Sequence, residues 1–414
     1  VVNGVFAQNW VEADLTPIGT ERMEGQLSKG IQPNASIVEK LGDITDEDWV
    51  LGPDDAVMTI LMYSDFECPY CSIASLALLA YQADHPEDVR YVYRHFPLPY
   101  HTKAPMSAWA ADAAGKQDES LFFAVEHLLY EKQREWATLA TVEEYEDWLK
   151  EKMKSVDGLD YDQWEKDFAD EDLRAQEQIS FDNASGTGLI EGTPTIFLNL
   201  NSFKGGWETS VLDNYLAYFK VQKRFYTELP PIVIDPEKDY RAVVETTKGT
   251  IIFDLLEKES PLAVNSFAFL AGDGWFDGNA FYRVKENFIA ETGDPAGNGM
   301  GNPGYLFAND VNDLSYGEAG WVGMVNGGKD KNGSKFFFTD DLTAFYTAAI
   351  TASNEGAKEE NKLSDEEIAA EVEKELAKLT ESYPIFGKVV EGVEGIPTLT
   401  QSDSIVSVKI EVLE

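Results

Sequence analysis

Cysteine is almost missing from this 414-residue chain, which has two, Cys68 and Cys71, with two residues between them. A secreted domain stapled by several scattered disulfides is therefore excluded. Histidine is scarce too: there are four, none of them after His127, and none has the paired spacing of a zinc finger. No run of 18 or more apolar residues occurs, so no stretch reads as a membrane-spanning helix. Basic residues are few, 33 against 74 acidic, for a formal net charge of −41. Phosphate backbones and anionic lipid surfaces repel such a polyanion, which removes nucleic acid from the partners. The acidic excess reads as a solvated, self-repelling surface, because no loop has calcium-ligand spacing, and no metal or cofactor is expected. An initiating methionine is absent as well. The start at Val1-Val2-Asn3 fits a processed product, with a membrane anchor expected only through a segment that once preceded it.

What remains is ordinary globular material, 43% hydrophobic and 12% aromatic, in a chain long enough for two domains. Residues 1–45, broken by Pro17, Gly19, Gly25, Gly30 and Pro33, read as an irregular arm. From Val57 to Tyr63 a short apolar run predicts a buried strand, and after Cys71 the residues Ile73, Leu76, Ala77, Leu79 and Ala80 recur at helical spacing. The cysteines thus fall at a strand-to-helix junction. A second strand over Val89–Arg94, helices between Pro105 and Ser180, and a strand at Thr195–Leu198 after Gly192-Thr193-Pro194 make residues 46–222 an α/β domain. Residues 223–238, with Pro230, Pro231 and Pro236, read as a stiff linker.

Over residues 239–414 the pattern changes to short strands between glycine-rich turns, as in a β-barrel. A hairpin is predicted around Lys248-Gly249, and Ser260-Pro261 opens a short helix with a cap and a first-turn proline. Further strands are predicted at Phe281–Val284, Trp321–Val325, Lys335–Thr339, Ile385–Val390 and Ile405–Val412. Ser364-Asp365-Glu366-Glu367 has the form of a capping box, and Ile368, Val372, Leu376 and Leu379 mark one helical face. Residues 352–381 are read as a helical insertion, more often a solvated flap than a partner-binding helix.

A disulfide between Cys68 and Cys71 would close too small a loop to stabilise much. Redox chemistry explains the placement better. A thiol at the first turn of a helix lies near unpaired N–H groups and the positive end of the macrodipole, which lowers its pKa to roughly 3.5–7.5. Cys68 is then the exposed nucleophile, Pro69 suits the first helical position, and Cys71 is placed to resolve a mixed disulfide. Zinc held by both thiolates and two of the histidines His85, His95, His101 and His127 stays open as the chemical rival.

Four motifs in order carry a family resemblance over residues 45–222: Ser64-Asp-Phe-Glu-Cys-Pro-Tyr-Cys71, Tyr93-Arg-His-Phe-Pro-Leu98, Phe122–Leu129 with Trp136, and Gly192-Thr-Pro-Thr-Ile-Phe197. The chain here resembles the DsbA-like branch of the thioredoxin superfamily, which implies a thioredoxin fold with a helical insertion. The resemblance further implies that Pro194 is a cis-proline facing the cysteines, with Thr193 and Tyr70 beside the client. Glu67, an acidic neighbour of Cys68, is expected to oppose the macrodipole.

A second series, Phe281-Tyr-Arg283, Phe288, Gly293-Asp-Pro295, Gly297–Tyr305, Gly323-Met-Val-Asn326, Asn332-Gly-Ser-Lys-Phe-Phe337 and Phe386-Gly-Lys-Val389, resembles the cyclophilins and implies an eight-stranded barrel. An isomerase must weaken the C–N double bond of an X–Pro amide, whose rotation barrier is about 18–20 kcal/mol. By resemblance Arg283 donates near the prolyl nitrogen. Phe288, Ile289, Met324, Phe337 and Phe345 line the proline pocket, and Asn326 contacts the peptide. Departures are Glu291 and Lys335 where the family has glutamines, expected to pair with each other, Phe345 for a tryptophan, and Tyr383 for a histidine. Gly299-Met-Gly301-Asn-Pro303-Gly304 also spells a dinucleotide fingerprint, but Pro303 and Gly304 forbid the helix that must follow.

Together these readings predict an extracytoplasmic folding factor acting on unfolded clients, with a separate redox partner resetting the cysteine pair. Two alternatives stand: a barrel that only binds clients as an adaptor, and a dedicated disulfide reductase.

Overall fold

The computed structural model describes residues 8–356, 358 and 361–414. The first seven residues of the expected arm, and residues 357, 359 and 360 of the expected insertion, lie outside the described residues. The chain forms two compact units, Ile31–Phe219 and the segment up to Gly30 together with Lys220–Glu414.

The first unit is built on a five-stranded sheet whose spatial order is Trp49–Leu51, Val89–His95, Met58–Ser64, Thr195–Leu198, Asn201–Phe203. Met58–Ser64 runs parallel to Val89–His95 and antiparallel to Thr195–Leu198. Its Met58, Ile60, Leu61 and Met62 are all buried, so it reads as an unbroken apolar run rather than an alternation. The helix Pro69–Asp84 follows at once. Between Val89–His95 and Thr195–Leu198 six helices are inserted: Ala104–Gly115, Glu119–Glu131, Gln133–Trp136, Val142–Met153, Tyr161–Phe168 and Glu171–Gly186. Part of the acidic excess works here. Asp118, Asp160 and Asp170 each cap a helix by accepting from a first-turn backbone N–H, where a carboxylate also meets the positive end of the helix dipole.

The second unit is an antiparallel barrel. Its own eight strands lie in the order Ile405–Leu413, Tyr240–Thr246, Gly249–Leu255, Ile385–Glu391, Trp321–Asn326, Asn332–Thr339, Ile289–Thr292, Arg283–Lys285. The seam closes next to the first and last of these through a bridge between Ala280 and Ser404 and the bonds Phe281 N to Asp403 O and Gly278 N to Ile405 O. Inside, Phe253, Phe267, Phe336, Phe338 and Phe386 pack edge to face or tilted against one another.

Four expectations are corrected here. The arm is not irregular throughout: Trp10–Glu12 adds a ninth strand antiparallel to Ile405–Leu413, Gln26–Leu27 pairs with Tyr305–Leu306, and Ala35–Leu41 is a helix capped by Asn34. Strand partners about 280 and 400 residues away supply the order that the local sequence lacks. Residues 223–238 are not a free connector, because Val233 and Ile234 are buried and their N–H groups donate to the Asn265 side chain. The insertion is a helical hairpin, Leu342–Glu355 and Asp365–Ser382, longer than 352–381, and its inner stripe is buried rather than solvated. Finally, the Ser260 hydroxyl does not cap its helix but donates to Ile385 O. The Asp310 carboxylate caps instead, accepting from Leu262 N at 3.1 Å and Ala263 N at 3.0 Å.

Candidate functional site

Cys68 is the N-cap of the helix Pro69–Asp84, in extended backbone geometry, with Pro69 at the first helical position. Its sulfur lies 3.4 Å from Thr193 O, and the Thr193–Pro194 peptide is cis. That loop leaves Cys68 only 5% exposed, against the sequence expectation of an exposed nucleophile, while Cys71 is fully buried. Pro69 and Tyr70, by contrast, face solvent. Both cysteines are free thiols.

The two sulfurs are electrostatically unlike. The Cys71 side chain, then its backbone N–H, Thr193 and the Tyr70 N–H hydrogen-bond the Cys68 sulfur and outweigh its burial, bringing its pKa down to about 6. Burial, followed by the hydrogen bond and charge of Cys68, pushes the Cys71 thiol well above its ordinary value. At neutral pH one thiolate therefore sits on Cys68.

Residues that the motifs did not single out hold this site. Gln133 Nε2 donates to Phe66 O at 2.7 Å and Cys68 O at 2.9 Å, fixing the turn that presents the sulfur. Asp65, buried between Leu98 N and His101 Nδ1 at 2.6 and 2.8 Å, orders the same turn, and its backbone N–H points to Cys71 Sγ at 3.5 Å. Below the cysteines Ser64 Oγ, Tyr130 OH and Tyr93 OH form a hydroxyl chain with spacings of 2.6 and 3.0 Å. One turn before Tyr130, Glu126 has no exposed surface and accepts from Ser75 Oγ at 2.6 Å and Tyr91 OH at 3.0 Å. Burial raises its carboxyl to about 7. The sequence signal was present in the alternating Tyr91 and Tyr93 and the i, i+4 pair Glu126 and Tyr130, but it points inward only once the strand and helix are packed. The Glu67 carboxylate, expected to oppose the macrodipole, accepts from Lys103 N at 2.8 Å at the start of the next helix. Among the described residues no group of three or more His, Cys, Asp and Glu is arranged to hold a metal ion.

In the barrel, Arg283 and Glu291 are direct cross-strand partners, joined Nη1 to Oε1 at 2.5 Å. The guanidinium is 60% exposed and the carboxylate 7%. The expected Glu291–Lys335 ion pair does not form, because Lys335 Nζ donates to Gly299 O instead. Of the residues expected to line an open proline pocket, Ile289, Met324 and Phe337 are buried. Phe288 lies against Phe345, ring centroids 4.6 Å apart, and Phe337 stacks on Tyr316 at 5.7 Å with the Tyr383 ring edge-on at 6.0 Å. Asn326 Nδ2 donates to Ser382 O at 2.7 Å. The glycine-rich loop wraps a carboxylate of its own: Asp294 accepts from the N–H groups of Ala296, Asn298, Gly299 and Gly301. A Cβ on Gly301 would stand 2.0 Å from Asp294 Oδ1, so glycine is required there by close approach.

Fold and site define a thioredoxin-fold domain followed by a cyclophilin-type domain. Residues 45–216 match the thioredoxin family model and residues 241–412 the model for cyclophilin type peptidyl-prolyl cis-trans isomerases. The chain belongs to the cyclophilin-type peptidyl-prolyl isomerase family through this second domain. It is 34% identical over 145 residues to peptidyl-prolyl cis-trans isomerase B of Streptomyces anulatus, covering 31% of this chain and 83% of that one. With a peptidyl-prolyl cis-trans isomerase of Synechococcus elongatus it is 38% identical over 97 residues, 23% of this chain and 66% of the relative. It spans 23% of the length of a longer Cryptococcus neoformans isomerase. The solved structure of oxidised BdbD from Bacillus subtilis is 22% identical and covers 47% of this chain and 98% of its own, with a TM-score of 0.36.

Proposed function

We propose that this chain is an extracytoplasmic protein-folding factor: a thiol–disulfide oxidoreductase joined to a peptidyl-prolyl isomerase. The observation that carries the reading is the asymmetric cysteine pair at a helix N-terminus, with Cys68 held ionised beside Thr193 and Pro194 and Cys71 buried as a thiol. The Cys68 thiolate attacks a client disulfide and releases one client thiolate, forming a mixed disulfide. Cys71, on losing its proton, then attacks Cys68 Sγ, closing the Cys68–Cys71 disulfide and releasing the second client thiolate. The same steps run backwards when a redox partner keeps the pair oxidised, so the reduction potential separates an oxidant from a dedicated reductase. The extracytoplasmic setting is supported by the exchange chemistry itself, since the client disulfides on which it would act form and persist in oxidising compartments.

The barrel supplies the second activity. The exposed guanidinium of Arg283 supports the reading that it donates toward a prolyl nitrogen, which favours the pyramidal nitrogen of the rotating amide. Its contact with Glu291 drains part of that donor strength, and this favours the adaptor as the second reading.

Three measurements test the proposal: alkylation, disulfide exchange and prolyl isomerisation. The rate of alkylation of reduced Cys68 should rise with a midpoint near pH 6, and Cys68→Ser should abolish disulfide exchange while leaving prolyl isomerisation unchanged. Loss of both activities in that variant would refute independent modules. In the barrel, Glu291→Gln should raise isomerase kcat/KM several-fold and Arg283→Ala should remove it; turnover that ignores both substitutions leaves Arg283 without a catalytic role.

A further inference from the structure

The turn that presents Cys68 is built on one carboxylate, and an imidazole from a separate loop holds that carboxylate. The Asp65 side chain has no exposed surface. Its Oδ1 accepts from Glu67 N at 2.7 Å, and its own carbonyl accepts from Cys68 N at 3.1 Å, which together shape residues 65–68. Its Oδ2 accepts from Leu98 N at 2.6 Å and meets His101 Nδ1 at 2.8 Å. The loop that brings His101 is anchored to the same strand end: Phe96 N donates to Ser64 O at 2.7 Å and His101 N to Leu98 O at 2.9 Å. A carboxylate taken out of water is costly unless its lone pairs are met. Burial raises the Asp65 carboxyl, and the bonds from Leu98, His101 and Glu67 pull it back toward the ionised form. Leu98 and Glu67 give backbone N–H groups, so of these three donors His101 is the one supplied by a side chain. A carboxylate can only accept, which puts the proton of that bond on Nδ1 of the imidazole.

We propose that His101 is a positioning residue of the redox site: its Nδ1–H fixes the Asp65 carboxylate in the turn before Cys68, and through that turn it sets the oxidising power of the cysteine pair. The inference rests on reading Cys68 as the nucleophilic thiolate. The route runs through the backbone. The Tyr70 and Cys71 N–H groups that hydrogen-bond the Cys68 sulfur follow the turn directly, and Cys68 is itself the N-cap of their helix. The turn also meets the second sulfur, because Asp65 N points to Cys71 Sγ at 3.5 Å. Without His101, Asp65 keeps only its two backbone donors and one of its oxygens is bound less firmly, so the turn loosens. The N–H groups aimed at the Cys68 sulfur then lose alignment. A thiolate with weaker donors is held by a weaker acid. The reduced pair loses that stabilisation relative to the disulfide, so the pair becomes a weaker oxidant.

The test uses the whole chain with His101→Ala and His101→Asn. Asparagine carries an N–H group on the atom after Cγ, where histidine carries Nδ1, and can donate to Asp65; alanine cannot. In His101→Ala the midpoint for Cys68 alkylation should rise by about one pH unit, a roughly tenfold weaker acid. The reduction potential of the pair should fall at neutral pH by up to about 30 mV, the same tenfold for a two-electron couple. His101→Asn should keep most of both values. A His101→Ala protein that melts earlier with both redox values unmoved gives the histidine a structural role only and overturns the proposal, as do equal losses in the two variants. Should the alanine variant not fold, nitrogen NMR of the imidazole in the unaltered chain decides: a neutral ring with its proton on Nδ1 supports the proposal, and a proton on Nε2 refutes it. A midpoint near pH 6 in all three proteins removes His101 alone. An ordinary midpoint of about 8.5 in the unaltered chain removes the nucleophile reading, and the role of His101 with it.

Discussion

Glu126 is a carboxylic acid with no exposed surface in the packed interior beneath Cys71. Its carboxyl is raised to about 7, chiefly by burial and against the pull of Ser75 and Tyr91. The fold therefore favours the protonated form. Stability from this group is complete below about pH 4.5, declines as the unfolded chain ionises, and is fully lost once the pH has passed the folded value near 7. Glu126→Gln keeps an acceptor for Ser75 and Tyr91 without the ionisation. We expect it to flatten the fall in stability between about pH 4.5 and 7, a difference on the order of 3 kcal/mol over that window. Urea denaturation at a series of pH values measures it, and parallel slopes for the two proteins would rule the assignment out.

At the scale of single elements, Asp310 illustrates what the sequence carries and what it does not. Ser260-Pro261 correctly marks where the helix Pro261–Gly272 begins, because the first-turn proline is a local signal. Which oxygen caps it is decided by Ile385 taking the serine hydroxyl, a contact 125 residues away. Asp310→Ala should cost about 1 to 2 kcal/mol by leaving two backbone donors unpaired, whereas Ser260→Asp should not rescue it. Chemical denaturation of the pair of variants checks this. The same division holds for the rest of the chain. Runs such as Val57–Tyr63 and the capping box at Ser364 were legible because helix and strand periodicities are local, and Met58–Ser64 and Asp365–Ser382 form where those signals lie. The pairing of Arg283 with Glu291 rather than Lys335 with Glu291 was not legible, since it depends on which residues face each other across neighbouring strands. Nor was the first helix of the hairpin, where Thr343, Thr347, Ile350 and Thr351 weaken helix propensity and tertiary packing supplies the remainder.

For the molecule as a whole, the strand Trp10–Glu12 matters more than its three residues suggest. It covers the outer edge of the last barrel strand, and Arg241 lies over the Trp10 ring at 4.5 Å. Removing residues 1–30 would expose that edge along with the apolar core residues that Met23 covers. An exposed edge strand is a template for pairing with other chains. The truncated protein should unfold at a lower temperature and self-associate in a concentration-dependent way, as light scattering would register; a monomeric truncation of unchanged melting temperature would show the strand to be dispensable.

The pairing that closes this edge sets Trp10 opposite Leu413. A ribosome adding roughly 5–20 residues each second needs on the order of 20 to 80 s to travel between them. During that interval the whole of the first domain is finished while the opening segment waits, unpaired, for a partner not yet made. A protein assembled in this order cannot be divided into its two domains by a single cut between them, since the strand Trp10–Glu12 belongs with the barrel.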